Sequence, residues 1–436
     1  MTEPGATHEK LPRLLAGLHS DRPVSLEEHL DRLGPSPRAD SGEASRRLIA
    51  AVEQSGLRGR GGGGFPLATK MRAVAARPGP RIVVANGAEG EPASRKDDLL
   101  LARAPHLVLD GAVLAAWMVG TDEVIVCVKR SAKAALEAIV RALQERRQAG
   151  SDDVEIAVAE VSSRYLAGEE SALVNHLSGG PAKPTFVPPR PFERGVGGRP
   201  TLIQNVETLA HLALIARFGA AWFRELGTPD DPGSVLITIS GSVASPGVYE
   251  IGAGTQLGHL IRAAGGPTEP FQALLVGGYS GSWFPVEVAP TLELGHSALR
   301  AVGGTLGPGV VFALPEGACG LAETARVAAY LAEESSGQCG PCVHGLAAIA
   351  DALAEISAGQ APPGTHEWVA RSCEDVVGRG ACHHPDGAIR LVSSCLEVFA
   401  GEIERHEQNR PCRPGPTLAS LLPLPSRGPR LALEQR

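Results

Sequence analysis

The sequence has little of what a membrane-spanning, nucleic-acid-binding or disulfide-stabilised protein needs. Its longest apolar run, residues 107–120, is interrupted by Asp110 and is shorter than the roughly 20 residues of a bilayer-spanning helix. The 41 basic residues are scattered and are outnumbered by 48 acidic ones, so no basic stripe is available to bind a phosphate backbone. Eight cysteines in 436 residues are too few for a disulfide scaffold.

The N-terminal residues MTEPGATHEK also lack an apolar leader. This predicts a cytoplasmic protein that is peripheral to any membrane complex, reaching it through partner subunits and not by direct membrane insertion. In a reducing compartment, the C-x-x-C pair formed by Cys339 and Cys342 in ESSGQCGPCVHG indicates metal or redox chemistry.

The chain is longer than a single hydrophobic core usually supports, so several domains are expected. Strand-like and helix-like segments alternate over residues 43–230, which is typical of a parallel α/β sheet with a ligand site at the carboxyl ends of its strands. Within this region, LLLARAPHLVLDGAVLAAWMVG predicts one long helix. The remaining segments are predicted to be an N-terminal arm (1–42), a small α+β module (231–316), a helix-rich domain (317–408) and a Pro-rich tail (409–436).

The segment GRGGGG at residues 59–64 satisfies G-x-G-x-x-G, but it follows a predicted helix, whereas a dinucleotide fingerprint follows a strand. Its successive glycines still let the backbone approach a flat ring or a phosphate and direct N–H groups at it. The alternative is a flexible turn without a ligand. Lys70 lies on the next predicted helix, where it either meets a phosphate or remains a solvated surface charge.

The segment NGAEGEP at residues 86–92 follows the end of a predicted strand. It brings Asn86, Glu89 and Glu91 close together at the edge where α/β proteins bind ligands. The alternative is an ordinary helix start, with Pro92 near the first helical position and acidic residues in the first turn. The residues alone leave both interpretations open.

Five segments in fixed order resemble those of the NADH-binding flavoprotein subunit of respiratory complex I and its relatives in NAD-reducing hydrogenases and formate dehydrogenases: GLRGRGGGGFPLATK, NGAEGEP, RYLAGEESAL, PTLIQNVETLA and ESSGQCGPC. The resemblance implies a Rossmann-like α/β domain that holds FMN, a β-grasp (ubiquitin-like) module and a helical domain that binds one [4Fe–4S] cluster. It also implies an FMN-dependent NADH dehydrogenase-type oxidoreductase subunit. Such a subunit takes hydride from NADH onto FMN and passes single electrons through the cluster to a ferredoxin-like or quinone-reductase partner, for instance a thioredoxin-like [2Fe–2S] protein.

Carried over residue by residue, the resemblance implies a role for Phe65 in stacking on the nicotinamide cofactor and for Glu91 and Glu170 in contacting NADH. Gln204 and Asn205 would open a helix toward the flavin phosphate. No catalytic acid or base is expected, because the flavin carries the chemistry. The complete set of expected cofactor-binding residues is Gly59, Arg60, Gly61, Gly62, Phe65, Lys70, Asn86, Glu89, Glu91, Tyr165, Gly168, Glu169, Glu170, Gln204 and Asn205.

The cluster motif of the family is S-C-G-x-C-x-P-C, followed by a distant fourth cysteine. Here Ser336 occupies the first ligand position. The other three positions are matched by Cys339, Cys342 and Cys382. A cubane takes four ligands, generally thiolates. Three outcomes therefore stay open: Ser336 or water binds the fourth iron, Cys373 or His383 replaces it, or no cluster forms. For the C-x-x-C pair alone, the alternative is a zinc site or two buried thiols.

Further departures concern the nucleotide site. Ala88 stands where the family has an aspartate, and Val187 and Arg190 flank a proline pair that the family flanks with lysine and phenylalanine. Arginine can stack on adenine and pair with a 2′-phosphate, so the choice between NADH and NADPH stays open, as does a weakened nucleotide site. Four other cysteines receive no family role and are expected to be ordinary buried thiols: Cys127, Cys319, Cys395 and Cys412.

Two other functions remain as alternatives. A degenerate paralogue would keep the fold as a scaffold or regulatory binding subunit without a cluster, an interpretation favoured by Ser336, Ala88 and Val187. A structural zinc protein with a β-grasp interaction module would account for the cysteines but would leave the glycine-rich segment unexplained.

Overall fold

The computed structural model describes residues 11–18, 20–38, 41–412 and 420–425. Parts of the predicted arm (1–10, 19 and 39–40) and of the predicted tail (413–419 and 426–436) lie outside the described residues. The arm contains helix α1 (Leu26–Leu33), whose N-terminus is capped by Ser25 in a capping box with Glu28.

A parallel four-stranded sheet in the order β3-β2-β1-β4 forms the first domain. Its strands are β1 (Ile82–Gly87), β2 (Glu123–Lys129), β3 (Glu155–Val161) and β4 (Thr201–Asn205). The helices of this domain are α2 (Gly42–Ser55), α3 (Leu67–Ala75), α4 (Lys96–Arg103), α5 (Pro105–Val119), α6 (Lys133–Ala149), α7 (Glu170–Leu177) and α8 (Val206–Phe223). The alternation of strands and helices is the one that the sequence predicts.

The prediction of one long helix through residues 99–120 is wrong. The segment forms α4 and α5, which meet at an angle of 97°. Pro105 causes the break, because its ring removes a backbone donor and disfavours helical geometry in the preceding residue, Ala104, which has φ −123° and ψ 47°. Within the described ranges no single helix is long and apolar enough to cross a membrane, although the bent pair passes by length and composition.

Asp110 interrupts the apolar sequence of α5 because it ties the arm to the first domain. Its carboxylate accepts hydrogen bonds from His29 of the arm (2.8 Å), Arg146 of α6 (2.8 Å) and Arg217 of α8 (2.6 Å). Burial opposes the charge, but these three partners outweigh it and hold the pKa of Asp110 below its usual value. A fully partnered carboxylate is therefore tolerated in the core.

A second, five-stranded sheet in the order β6-β5-β9-β7-β8 forms the middle module. The central pair β5–β9 is parallel and the other pairs are antiparallel. The elements of this module are β5 (Ser234–Gly241), β6 (Gly247–Gly252), α9 (Leu257–Ala263), β7 (Phe271–Val276), β8 (Ser282–Pro285), α10 (His296–Ala301) and β9 (Val310–Pro315).

The last part of the described chain is helical. Its buried side chains form one hydrophobic cluster with residues of the middle module such as Trp283 and Phe312, and Leu422 of the segment 420–425 also belongs to this cluster. Its elements are α11 (Gly320–Glu333), a π-helical turn (Pro341–Leu346), α12 (Ala347–Ser357), α13 (Thr365–Val376), α14 (His384–Val398) and α15 (Ala400–Glu407).

The packing of α5 on α8 in the first domain generates a prediction for Gly111. A Cβ at this position would overlap the backbone carbonyl of Leu209, so the two helices must separate to accommodate it. Gly111→Ala should lower the free energy of unfolding by about 3 kcal/mol or more, measured by urea denaturation.

The matched control is Gly401→Ala on α15, where an added Cβ meets no atom within 4 Å. Because alanine is the better helix former, this variant should be unchanged or more stable by up to about 1 kcal/mol. Equal stability of the two variants would contradict the close packing of α5 on α8.

Candidate functional site

Two asparagines lie side by side at the carboxyl ends of neighbouring strands. Asn86 of β1 and Asn205 of β4 are register partners in the parallel sheet. The Asn86 side chain donates to the Gly168 carbonyl (2.9 Å) and accepts from the Ala88 N–H (3.1 Å). Asn205 caps α8 by accepting from the Glu207 N–H (3.0 Å). The sheet edge predicted to bind ligand is thus fixed by side-chain hydrogen bonds to adjacent turns.

The glycine-rich loop lies against the first turns of α8. The Gly59 N–H donates to the Phe65 carbonyl (2.9 Å) and closes the loop, while the Arg60 N–H donates to the Thr208 hydroxyl (2.8 Å). A Cβ on Gly61 would come within 3.3 Å of the Asn205 side chain. The loop is therefore ordered by the protein itself, next to a helix N-terminus, where anions are stabilised.

The backbone of this loop is open on one side at Gly63. Gly62 and Gly64 have positive φ angles of 109° and 62°, which disfavour other residues. A Cβ at Gly63 would meet no described atom within 4 Å. Phe65, directly after the loop, is 55% exposed although it is a large apolar side chain. This part of the surface thus offers bare backbone and an exposed aromatic ring.

The side chain of Arg60 points away from solvent. Its guanidinium donates to the Pro232 carbonyl (3.1 Å), and its Nε is buried without a hydrogen-bond partner among the described residues. Burial lowers the pKa of Arg60, while the nearby carboxylates of Glu207 and Asp231 act in the opposite direction. The guanidinium of Arg60 therefore places positive charge on the buried side of the loop. The sequence alone does not predict this orientation.

A buried ionic cluster lies under the same loop and was not predicted from the sequence. Lys96 Nζ contacts Asp97 (2.7 Å) and Glu207 (2.9 Å), and the Asn205 amide donates to Asp97 (2.6 Å). Burial opposes the Lys96 charge, but Asp97, Glu207 and Glu89 outweigh burial and raise its pKa. A single acid in the apolar start of α8, VETLAHLALI, is the one sequence signal that could have indicated such a partner.

Two turns at the ligand edge pack against each other through glycines. A Cβ on Gly90 would overlap the Tyr165 carbonyl, and a Cβ on Gly168 would overlap the Ala88 carbonyl. The segment 86–92 is therefore part of a two-turn interface. The helix-start interpretation of this segment is wrong, because α4 begins only at Lys96.

Two buried carboxyl groups lie in the first of these turns. Glu91 accepts from the backbone N–H groups of Tyr279 (2.8 Å) and Ala93 (3.3 Å) and from the Tyr165 hydroxyl (3.4 Å). Burial raises the pKa of Glu91 to about 7. Glu89 accepts from the Ser94 hydroxyl, and burial followed by the charge of Asp97 raises its pKa to about 8.

The second turn begins at Tyr165 and leads into α7. Glu169 caps this helix, because its carboxylate accepts from the N–H groups of Ser171 and Ala172 (both 2.9 Å). Glu170, the first residue of α7, is about half exposed and contacts the ammonium group of Lys70.

Lys70 also donates to the Ile203 carbonyl (3.0 Å), so it is not a solvated surface charge. Gln204, the next residue of β4, is buried. The structure thus gathers the predicted cofactor-binding residues at one sheet edge, with Arg60 directed beneath it.

The cysteine motif lies between α11 and the π-helical turn. The Cys339 sulfur accepts from the backbone N–H groups of Ala381 and Cys342 and interacts with the Cys342 thiol; burial opposes the thiolate, but these contacts outweigh it and lower the pKa of Cys339. Burial, followed by Cys339, raises the pKa of Cys342 to about 12. Ser336 is buried in the preceding turn. The structure therefore brings Cys382, which follows Ala381, to the C-x-x-C pair.

The two other candidates for a fourth ligand differ in environment. Cys373 is buried in the hydrophobic core of the helical domain, whereas the His383 side chain is fully exposed.

The cysteine motif adjoins the turn at Tyr165. The Tyr165 N–H donates to the carboxylate of Glu334 (2.8 Å), two residues before Ser336. Burial raises the pKa of Cys382, and the nearby carboxylate of Glu169 adds to this effect. The glycine loop, the two turns and the cysteine motif therefore form one continuous region across the domain boundary.

Comparisons with known proteins agree with this arrangement. Residues 52–214 match the family described as the Nuo51 FMN-binding domain, residues 236–278 the SLBB domain and residues 322–406 the NADH-ubiquinone oxidoreductase-F iron–sulfur binding region. An F-type NADH-quinone oxidoreductase subunit of Rhizobium meliloti (strain 1021) is 32% identical over 380 residues, covering 84% of this chain and 90% of that protein.

The corresponding NADH-quinone oxidoreductase subunit of Aquifex aeolicus (strain VF5) is 31% identical over 414 residues, covering 91% of this chain and 95% of that protein. Among solved structures, an NAD⁺-reducing [NiFe]-hydrogenase in the H₂-reduced state superposes with a TM-score of 0.81 and 33% identity, covering 91% of this chain and 67% of that chain. These matches confirm the predicted order of a parallel α/β domain, a β-grasp-like module and a helical iron–sulfur region.

The burial of Glu91 generates a prediction about pH. Its folded-state pKa of about 7 lies above the usual 4.5, so between these values the folded protein keeps a proton that the unfolded chain loses. The stability that this carboxyl contributes is present below the unfolded pKa and is lost as the pH rises through the folded one, a change of about 3 kcal/mol. Glu91→Gln should remove this loss and be the more stable protein at about pH 8.

Urea denaturation of parent and variant at about pH 5 and about pH 8 measures the effect. Glu137→Gln, on the exposed face of α6, serves as the control and should follow the parent at both pH values. If Glu91→Gln shows the same pH difference as the parent, the assignment of a buried, proton-retaining carboxyl is wrong.

Proposed function

Because this chain belongs to the family of NADH-binding FMN and iron–sulfur subunits of complex I-like NADH-quinone oxidoreductases, we propose that it oxidises NADH and delivers single electrons to a [2Fe–2S] or ferredoxin-type partner subunit. The observation that carries the proposal is the continuity of the glycine loop, the turns 86–92 and 165–168 and the cysteine motif. FMN, when bound, supplies the conversion of a two-electron hydride transfer into one-electron steps.

The residues of the ligand edge fit FMN. The bare backbone at Gly63 leaves room for a planar ring, and the N-terminus of α8 favours a phosphate. Arg60 and Lys96 add buried positive charge behind the loop, and the unpartnered Arg60 Nε supplies a further donor there. We assign FMN binding to the loop, to Asn86 and to Asn205 on this basis.

The nucleotide would approach from the open side of the loop. Phe65 offers an exposed ring for stacking, and the half-exposed Glu170, held by Lys70, can accept hydrogen bonds from ribose hydroxyls. Glu91 is buried and oriented by the Tyr279 N–H, so its contribution is to position the turn. In the loop 184–193, Arg190 is exposed and could pair with the 2′-phosphate of NADPH, so NADPH is tested as a substrate beside NADH.

The cysteine motif fits a [4Fe–4S] cluster at three ligand positions and departs at one. Cys339, Cys342 and Cys382 supply soft thiolates, whereas the buried Ser336 supplies a harder hydroxyl oxygen. A cluster, when bound, would accept electrons one at a time from the flavin. The serine favours a second candidate function, a scaffold subunit that has lost its cluster.

The decisive experiment is an absorption spectrum of anaerobically purified full-length protein, with iron and flavin analysis, before and after addition of NADH or NADPH. Flavin bands that bleach with NADH support the proposal. Bleaching with NADPH alone would show that NADPH, and not NADH, is the electron donor. Bound flavin that ignores both nucleotides supports the scaffold function. A colourless protein that takes up no FMN on incubation would overturn the flavin assignment.

Gly63→Val provides a site-specific test in the same experiment. A Cβ at this position meets no described atom within 4 Å, so the fold should persist while FMN affinity falls by about tenfold or more. Gly401→Ala on α15 should retain parental flavin content. Unchanged flavin occupancy in Gly63→Val would place the flavin elsewhere.

Restoring the missing thiol should raise cluster occupancy. Ser336→Cys is expected to increase the iron content per chain and the visible absorption near the cluster bands, because thiolate binds the iron of a cubane more tightly than a hydroxyl does. Ser151→Cys, at an exposed position directly after α6 in the first domain, is the control and should leave iron unchanged. Equal iron content in parent and Ser336→Cys would argue against Ser336 as the fourth position.

A further inference from the structure

A second group of metal-binding side chains lies at the opposite end of α11 from the cysteine motif. The thiol sulfurs of Cys319 and Cys412 and the Nε2 atom of His406 all lie within 4.8 Å of one another. A carboxylate oxygen of Glu402 lies 3.4 Å from the Cys319 sulfur. The 14 residues of α11, about 21 Å of helix, separate this group from the motif at Cys339, so the two sites are distinct.

We propose that Cys319, Cys412 and His406 bind a zinc-class divalent cation, with Glu402 as the fourth ligand. Two thiolates, an imidazole and a carboxylate are a ligand set that Zn²⁺ takes in tetrahedral sites. Binding converts the two thiols to thiolates and releases their protons to solvent, with no change of oxidation state. The site is separate from the proposed electron-transfer function.

Two distances from the Cys319 sulfur match edges of a tetrahedral site. Glu402 is not among the side chains whose ligand atoms all lie within 4.8 Å of one another, so its carboxylate must turn toward the group to complete the site. Zinc–sulfur bonds of about 2.3 Å and zinc–nitrogen or zinc–oxygen bonds of about 2.0–2.2 Å place ligand atoms about 3.5 Å apart. The Cys319 sulfur lies 3.5 Å from His406 Nε2 and 3.4 Å from the Glu402 oxygen. Thiols that each bind a different iron of a cluster do not have to lie as close together as the ligands of a single metal ion. Within the described ranges, the thiols of Cys339, Cys342 and Cys382 do not form a group whose ligand atoms all lie within 4.8 Å of one another.

The imidazole of His406 is oriented for ligation. Its Nδ1 atom lies 2.8 Å from the Ser357 carbonyl and can donate only if it carries the proton, which leaves the lone pair of Nε2 directed at the thiols. A backbone carbonyl on the far nitrogen is the usual partner of a metal-bound histidine. In the metal-free geometry Nε2 accepts from the Cys412 N–H (2.9 Å), so metal binding exchanges this hydrogen bond for a metal bond.

Two backbone N–H groups at the start of α11 donate to candidate ligands of this otherwise apolar group. Cys319 is the N-cap of α11, where its sulfur accepts from the Ala322 N–H (3.4 Å), and Glu402 accepts from the Leu321 N–H (3.3 Å). A helix N-terminus stabilises thiolate and carboxylate charge. Cys319, Glu402 and His406 are all buried, and Cys412 closes the group from the half-exposed side.

The cation would fasten the start of the tail to the helical domain. Cys412 lies on the chain that leaves α15, and the later segment 420–425 returns to α11. There the N–H groups of Ser420, Leu421 and Leu422 donate to the carboxylate of Glu323. A metal at Cys412 would thus add a second attachment to the helical domain besides the one at Glu323.

The test is metal analysis of the full-length protein after zinc loading and removal of loosely bound metal. We expect one zinc ion per chain in addition to any iron, and replacement by Co²⁺ should give the intense visible bands of a tetrahedral site together with sulfur-to-cobalt charge transfer. Cys412→Ser and His406→Gln should each lose the bound zinc, and Cys395→Ser, a buried thiol of the same core, should keep it.

Cys339→Ser is the second control and should lower iron without lowering zinc. Because Cys412 is only half-buried, Cys412→Ser is expected to fold, and circular dichroism checks this. X-ray absorption of the unsubstituted zinc protein gives an independent readout, two sulfur ligands per zinc. Absence of zinc uptake, zinc retained by both Cys412→Ser and His406→Gln, or a disulfide between Cys319 and Cys412 in the intact protein would each overturn the proposal.

Discussion

The ligand edge depends on the reciprocal packing of two turns through glycine. Gly90 lies against the carbonyl of Tyr165, and Gly168 lies against the carbonyl of Ala88, with no room for a Cβ at either contact. This close approach fixes the ends of strands β1 and β3 relative to each other and lets Asn86 reach the Gly168 carbonyl. The other polar contacts of the two turns, including those of Glu91 and Glu169, are positioned by this interface.

Burial of charge is the second feature that defines the region. Lys96 is balanced by Asp97 and Glu207, whereas Glu89 and Glu91 lie in surroundings that favour their protonated forms. Unlike a charged groove open to solvent, such an arrangement presents fixed dipoles and a backbone edge to a ligand. It suits a cofactor that stays bound, because the protein does not have to reorganise its charges when that cofactor binds.

The sequence predicts much of this fold because its local signals agree with the tertiary structure. Alternating apolar segments identify β1 to β4, and Ser25 with Glu28 identifies the start of α1. The long-helix prediction fails at Pro105 because the apolar pattern continues across this residue, although proline breaks the helix there. The motif order points to the family, but it gives no information about which side of the loop Arg60 occupies.

The site is predicted less completely because its supporting residues are distant in sequence. Glu334 and Tyr165 are separated by 169 positions, and Tyr279 reaches Glu91 from another module across 188 positions. Neither pair has a local pattern. The group at Cys319, His406 and Cys412 was not predicted for the same reason, since its three members are spread over more than ninety residues and none belongs to a spaced motif.

The hydrogen bond from the Tyr165 N–H to Glu334 has a kinetic consequence. It joins the turn beside the ligand edge to the segment that immediately precedes the cysteine motif, so one hydrogen bond connects the two regions directly. Electron tunnelling weakens steeply with the gap between donor and acceptor. Under the proposed function, an opening between the ligand edge and the cysteine motif would therefore slow electron transfer, and this hydrogen bond opposes such an opening.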